Sequence, residues 1–259
     1  MTLPATIKQL GAPDYGVRKG TEFIVFHTPE FGGFDLASAI ACAKWQTAAG
    51  NTSGGSYNGF PAFDASRGFP ITDWRAWVMV ESVPFSHIAG GLPANHNQPA
   101  WRPDRYPWIK QTLSSAAYAD CNAYCIQLSV SGTTAALVKL ITDGKAGGLI
   151  TFLAKWVKSL EVEYHFDAAL TGHFMFQTDR TDPGTTPPDK LLCDLVLEEY
   201  LKQNAPAPAV AAPVVPVDWA GKINPIGTRY PLYIHSDYQA LFWITRAIAA
   251  SKAAGRFRI

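Results

Sequence analysis

The segment Glu22-Phe-Ile-Val-Phe26 limits the fold of this chain more than any other. It is a short, β-rich apolar run bounded by Gly20 and Pro29, and it reads as a buried strand ending at His27. A helix is expected next: Leu36, Ile40, Ala43 and Ala48 recur at helical spacing, Asp35 can cap the first turn, and Gly50 stops the run.

The same alternation continues along the chain. Residues 50–73 are a Gly/Ser/Asn/Pro loop around a short strand that holds Tyr57, and Trp74 to Val83 reads as the next strand. Residues 89–108 form a long loop with no periodicity, of the kind that often walls a cleft. Tyr124 to Val130 reads as a strand, and Leu149 to Leu160 carries Ile150, Leu153, Trp156, Val157 and Leu160 on one helical face. Ala168 to Gly172 is a short strand ending at His173, 174–188 is a loop, and Lys190 to Gln203 is a helix expected to turn Leu191, Leu195, Val196 and Leu201 inward. Strands alternating with helices specify an α/β fold over residues 1–203. An Ala/Pro/Val tract at 204–217 reads as a semi-rigid linker. The remaining piece, 218–259, is a short aromatic, helical extension too small for its own core, so it is expected to dock or target.

Composition excludes several functions. Lys and Arg total 22 against 21 Asp and Glu, which leaves no field to hold a polyanion, so nucleic acid is not an expected partner. No run approaches the roughly 20 apolar residues of a membrane span, and the N-terminal segment lacks the pattern of a signal peptide. Four cysteines, Cys42, Cys121, Cys125 and Cys193, are too sparse for a disulfide scaffold and read as buried thiols.

His27 and His173 each follow a short apolar strand, and strand ends in α/β sheets gather at one rim where sites form. Asp182 opens an Asp-Pro-Gly turn that would fix the direction of its carboxylate. Two imidazoles and a carboxylate, with one position open, are a standard catalytic zinc set; taken singly, a strand-end histidine is also an ordinary hydrogen-bonded group.

Read together, five stretches resemble the zinc-dependent N-acetylmuramoyl-L-alanine amidase family, which includes phage endolysins and peptidoglycan recognition proteins. Phe23-Ile-Val-Phe-His27-Thr resembles the first strand, with its zinc histidine, and Ser56-Tyr57-Asn58 resembles the Ser/Gly-Tyr-His segment. Ser86-His87-Ile-Ala-Gly-Gly91 looks like the Trp-His-Ala-Gly turn, and Cys121 to Gly132 looks like the Asn-x-x-Ser-Ile-Gly-Ile-Glu strand. Thr171-Gly-His173 followed by Arg180-Thr-Asp182-Pro-Gly184 is similar to the Gly-His loop and Lys-Thr-Asp-Pro-Gly, the most specific of the matches.

The resemblance implies a central mixed β-sheet flanked by helices, with Zn2+ held by His27, His173 and Asp182. It places Tyr57 as a catalytic residue beside the metal and Arg180 where a lysine usually helps stabilise the oxyanion. A guanidinium stabilises that charge but holds its proton too tightly to shuttle it. His87 would contact substrate or hold its turn, and Trp101 and Trp108 would stack on sugar or pack in the 89–108 loop. Ser129 stands where many members carry a glutamate, and Glu30 is a spare carboxylate with either a surface or a site role.

The implied reaction is hydrolysis of the amide between N-acetylmuramic acid and L-alanine in bacterial peptidoglycan by zinc-activated water. The protein would then be an endolysin or a virion tail-associated lysin, located in the phage tail or in the host cytoplasm before release to the wall. Its 218–259 extension would meet other tail proteins. The rival expectation is a catalytically impaired amidase-fold module with a wall-binding or structural role, and a third is a metallopeptidase cutting within the stem peptide.

Overall fold

The structure is a computed structural model that describes residues 6–47, 55–92, 120–164, 169–176, 180–186 and 190–204. The chain divides into two units, Met1–Tyr200 and Leu201–Ile259, and of the second only the last residues of one helix are described. The linker, the 218–259 extension and the 93–119 stretch with Trp101 and Trp108 lie outside the described residues.

Strand β2, Phe23–His27, is buried along its whole length, as a run without a polar face requires. It belongs to a six-stranded sheet with β1 (Thr6–Lys8), β3 (Gly59–Phe63), β4 (Trp77–Glu81), β5 (Cys125–Ser129) and β6 (Ala169–Gly172). The order is β1-β4-β3-β5-β2-β6. Strands β5, β2 and β6 are parallel neighbours, β3 runs parallel to β5 and antiparallel to β4, and β1 runs parallel to β4. The sheet is therefore mixed. Among the described residues four α-helices accompany it: α1 (Leu36–Gln46), α2 (Thr134–Thr142), α3 (Gly147–Tyr164) and α4 (Leu192–Asn204), which makes the fold α/β.

Asp35 caps α1 by accepting from the Ser38 amide at 2.9 Å. The helix then lays Ala39, Cys42 and Ala43 on Phe60, Ala62, Val78 and Val80 of β3 and β4. Helix α3 buries Phe152 and Trp156, with Trp156 against Phe85 at a ring separation of 5.2 Å. Fully burying each such side chain contributes roughly 1.5–3 kcal/mol, so these contacts rather than helix propensity hold the layers together. Helix α4 ties to α3 where the Tyr200 hydroxyl donates to Glu161 at 2.6 Å.

Register places the chemistry. Phe26 pairs with Gly172, so the residue after each strand pair, His173, emerges beside His27 at the same rim. His27 itself pairs with Ser129.

Several expectations need correction. Tyr57 precedes β3 rather than lying within it, and Trp74–Ala76 is a single 3-10 turn before β4. Helix α2 and strand β1 have no counterpart in the sequence reading, and neither does a two-strand hairpin, β7 (Thr185–Thr186) with β8 (Lys190–Leu191). The inward face of α4 is Leu192, Cys193, Val196, Leu197 and Tyr200; Leu195 and Leu201 are only partly buried. All four cysteines are free and buried, as expected. Among the described residues no helix is long and apolar enough to cross a membrane.

Candidate metal centre

His27 is fully buried at the end of β2, and His173 and Asp182 are each 5% exposed. The His27 and His173 Nδ1 atoms are 3.2 Å apart, and Asp182 Oδ2 lies 3.5 Å from the first and 3.3 Å from the second. A tetrahedral zinc with ligand bonds of about 2.0–2.1 Å sets its donors about 3.3–3.4 Å apart. The triangle therefore fits one such ion with three protein donors and leaves the fourth vertex free. These are the described residues that cluster as a possible metal set.

Local structure holds the third donor in place. The Asp182 carbonyl accepts from the Phe174 amide at 3.2 Å, the Thr181 carbonyl accepts from Gly184 at 2.6 Å, and the Thr28 amide donates to Asp182 Oδ2 at 3.4 Å.

Electrostatics act on two of the donors, His27 and Asp182. Burial pushes the His27 imidazole down to about 4, against an opposing pull from Asp182, so the ring is neutral at pH 7. For Asp182, burial alone would raise the carboxyl, but hydrogen bonds from His173 and His27 hold it well below the usual carboxylate range.

Tyr57 packs against this group with its ring tilted 49° to that of His27 at 4.8 Å. Burial, reinforced by Asp182, pushes its phenol up, with Arg180 opposing, so the hydroxyl stays protonated and is a donor rather than a base. Exposed Arg180 lines the same cleft as Tyr57, about 260 Å3, together with Thr28, Glu30, Phe31 and Trp45. Trp45 is 49% exposed and Phe31 38%, which gives this cleft an aromatic rim from α1 and the loop before it.

Other sequence candidates fall elsewhere. His87 Nδ1 hydrogen-bonds Asp14 at 2.5 Å, and the His87 carbonyl accepts from Asn58. One carboxylate oxygen of Glu30 accepts from the Thr28 hydroxyl at 2.6 Å and the Thr134 amide at 3.0 Å, closing the first turn of α2. Ser129 is buried beside His27, and its hydroxyl has no partner.

Sequence reasoning passed over a polar frame around Tyr57. Buried Asn58 bonds to the main chain of Gln127 on one side and to the Pro84 and His87 carbonyls on the other. Gln127 Nε2 donates to the Ala89 carbonyl at 2.7 Å and to Asn122 Oδ1 at 2.6 Å. A Cβ on Gly91 would meet Gln127 Oε1 at 2.0 Å and Tyr57 Cε1 at 2.9 Å, so only glycine fits against the tyrosine there. A glutamine and two asparagines amid apolar strand ends were the available signal, because buried amides must be bonded.

No protein-family profile matches this chain, and no curated protein matches it. Among solved structures, the catalytic domain of XlyA is similar at 15% identity and a TM-score of 0.39, over 67% of this chain and 87% of that one.

Proposed function

We propose that this protein is a zinc-dependent amidase of the phage lysin kind, which cleaves the amide between N-acetylmuramic acid and L-alanine in bacterial peptidoglycan. The observation that carries this reading is the buried His27, His173 and Asp182 triangle with sides of 3.2, 3.3 and 3.5 Å beside Tyr57, formed by the residues of the motif resemblance. A bound zinc supplies Lewis acidity, polarising a carbonyl and lowering the pKa of water toward about 7.

The chain's own residues do the rest. His27, His173 and Asp182 would hold the ion, with the two histidines set side by side at the sheet rim. Tyr57, protonated and next to His27, donates a hydrogen bond to the oxyanion that develops on the carbonyl. Arg180 on the same cleft adds a permanent positive charge toward that oxygen. The cleft between Trp45, Phe31 and Tyr57 receives one arm of the substrate. The protein acts as an endolysin or from the virion tail, and the 218–259 segment meets other tail proteins in the second case.

The test is product analysis of purified peptidoglycan digested by the zinc-loaded protein. The amidase reading expects new amino-terminal L-alanine with intact muramic acid and no new reducing ends. New amino groups on later stem residues would mean a peptidase instead.

A second reading rests on Ser129. At the position in register with His27, a hydroxyl stands where a carboxylate would act as a base, which favours an amidase-fold module that binds walls without turnover. Zinc at one per chain, wall binding and no new amino termini would decide for it.

A further inference from the structure

A histidine that ligates through Nδ1 carries its proton on Nε2, and that N–H needs an acceptor to fix the tautomer and ring orientation. In this protein His27 Nε2 is buried and has no hydrogen-bond partner. Gln127 Oε1 is a second buried atom without a partner, two residues along the adjacent parallel strand from the site of pairing with His27. One is a donor when Nδ1 ligates and the other is an acceptor only.

The orientation of the carboxamide is not free. Its Nε2 lies 2.7 Å from the Ala89 carbonyl and 2.6 Å from Asn122 Oδ1, both acceptors, so the nitrogen must face them and the oxygen must face the other way. Residues of β2 and β5 that share the Val25–Gln127 and His27–Ser129 pairings lie on one face of the sheet, which puts this oxygen on the side of the imidazole. A Cβ on Gly91 would come within 2.0 Å of the same oxygen, so glycine at that position leaves it room.

We infer that Gln127 is the positioning residue for the metal ligand His27: its Oε1 accepts the His27 Nε2–H when Nδ1 ligates, with Ala89 and Asn122 aiming the amide. This inference rests on the zinc reading above. Ser129 is the competing acceptor, because it pairs with His27 and its hydroxyl is also unpartnered. A hydroxyl rotates and must itself find an acceptor, whereas the Gln127 oxygen is already fixed.

Two measurements test this on the full chain: zinc affinity by competition with a chromophoric chelator, and the His27 side-chain N–H in 15N-resolved spectra of the zinc-loaded protein. Gln127→Met removes the acceptor, Gln127→Glu keeps an acceptor oxygen in place, and Ser129→Ala tests the competitor. The expected result is a protected Nε2–H in wild type, a loss of zinc affinity of about 10- to 100-fold with loss of that protection in Gln127→Met, a smaller loss with protection kept in Gln127→Glu, whose second oxygen meets the Ala89 and Asn122 acceptors, and retention of both affinity and protection in Ser129→Ala. Equal losses in the Met and Glu variants would reduce Gln127 to a brace for Ala89 and Asn122 and overturn the inference. So would wild-type affinity in Gln127→Met, or a loss confined to Ser129→Ala. Wild-type protein that binds no zinc would instead remove the reading on which the inference stands.

Discussion

Acidifying the metal-free protein from pH 7 toward pH 4 is expected to weaken its fold through His27. Burial lowers this imidazole from 6.5 to about 4, so the unfolded chain takes up a proton at a higher pH than the folded one does. Stability from this group is complete above pH 6.5, declines as pH falls below that value and reaches its full loss near pH 4. At 1.36 kcal/mol per unit the gap amounts to roughly 3 kcal/mol, a substantial share of a stability of about 5–15 kcal/mol. Asp182 does not confuse the window. Its carboxyl is lowered, so its contribution is lost only below the ordinary carboxylate range, under about pH 4. The assay is urea unfolding of chelator-treated protein at steps from about pH 7 to pH 4, beside His27→Gln. The variant lacks the group, so its stability should fall less across the window, by about the same 3 kcal/mol. Parallel profiles for the two proteins would refute the buried, neutral imidazole.

Three further outcomes follow from the same geometry. Tyr57→Phe keeps the ring on His27 but removes the donor, and kcat should fall by about 10²–10³ with zinc content unchanged, as read by turnover and metal analysis. Gly91→Ala forces Gln127 or Tyr57 away from contacts of 2.0 and 2.9 Å; about 1–3 kcal/mol of stability and of the order of 10² in turnover should be lost, measured by melting and kinetics. Glu30→Ala removes the acceptor at the first turn of α2 and should cost about 1 kcal/mol in unfolding experiments.

Much of the sheet was legible because its strands are extreme in composition. Phe23 to Phe26 admits little but a buried strand, and the short apolar run before His173 gave β6; the two histidines could then be matched at one rim. Helix α1 was legible through its Asp35 cap. Helix α2 was missed although Thr133 opens it and Gly144, at φ 70°, follows its end; its start is completed by Glu30, more than a hundred residues away in sequence. The face of α4 was legible only in part, at Val196 but not at Leu195 and Leu201, because Leu191, Leu192, Leu195, Val196 and Leu197 offer more than one apolar stripe. At the site, donor residues with strong chemical identity, His27, His173 and Asp182, stood out. Gln127, Asn122 and Asn58 did not, since an amide becomes informative only once its burial and its partners are known.

The most direct test of the metal centre is zinc per chain, by plasma mass spectrometry, in wild type and in His173→Ala after equilibration with zinc and removal of excess. One zinc in wild type and none retained in the variant is the result predicted by the His27, His173 and Asp182 triangle. A wild-type chain that retains no zinc, or a variant that retains as much as wild type, would contradict it.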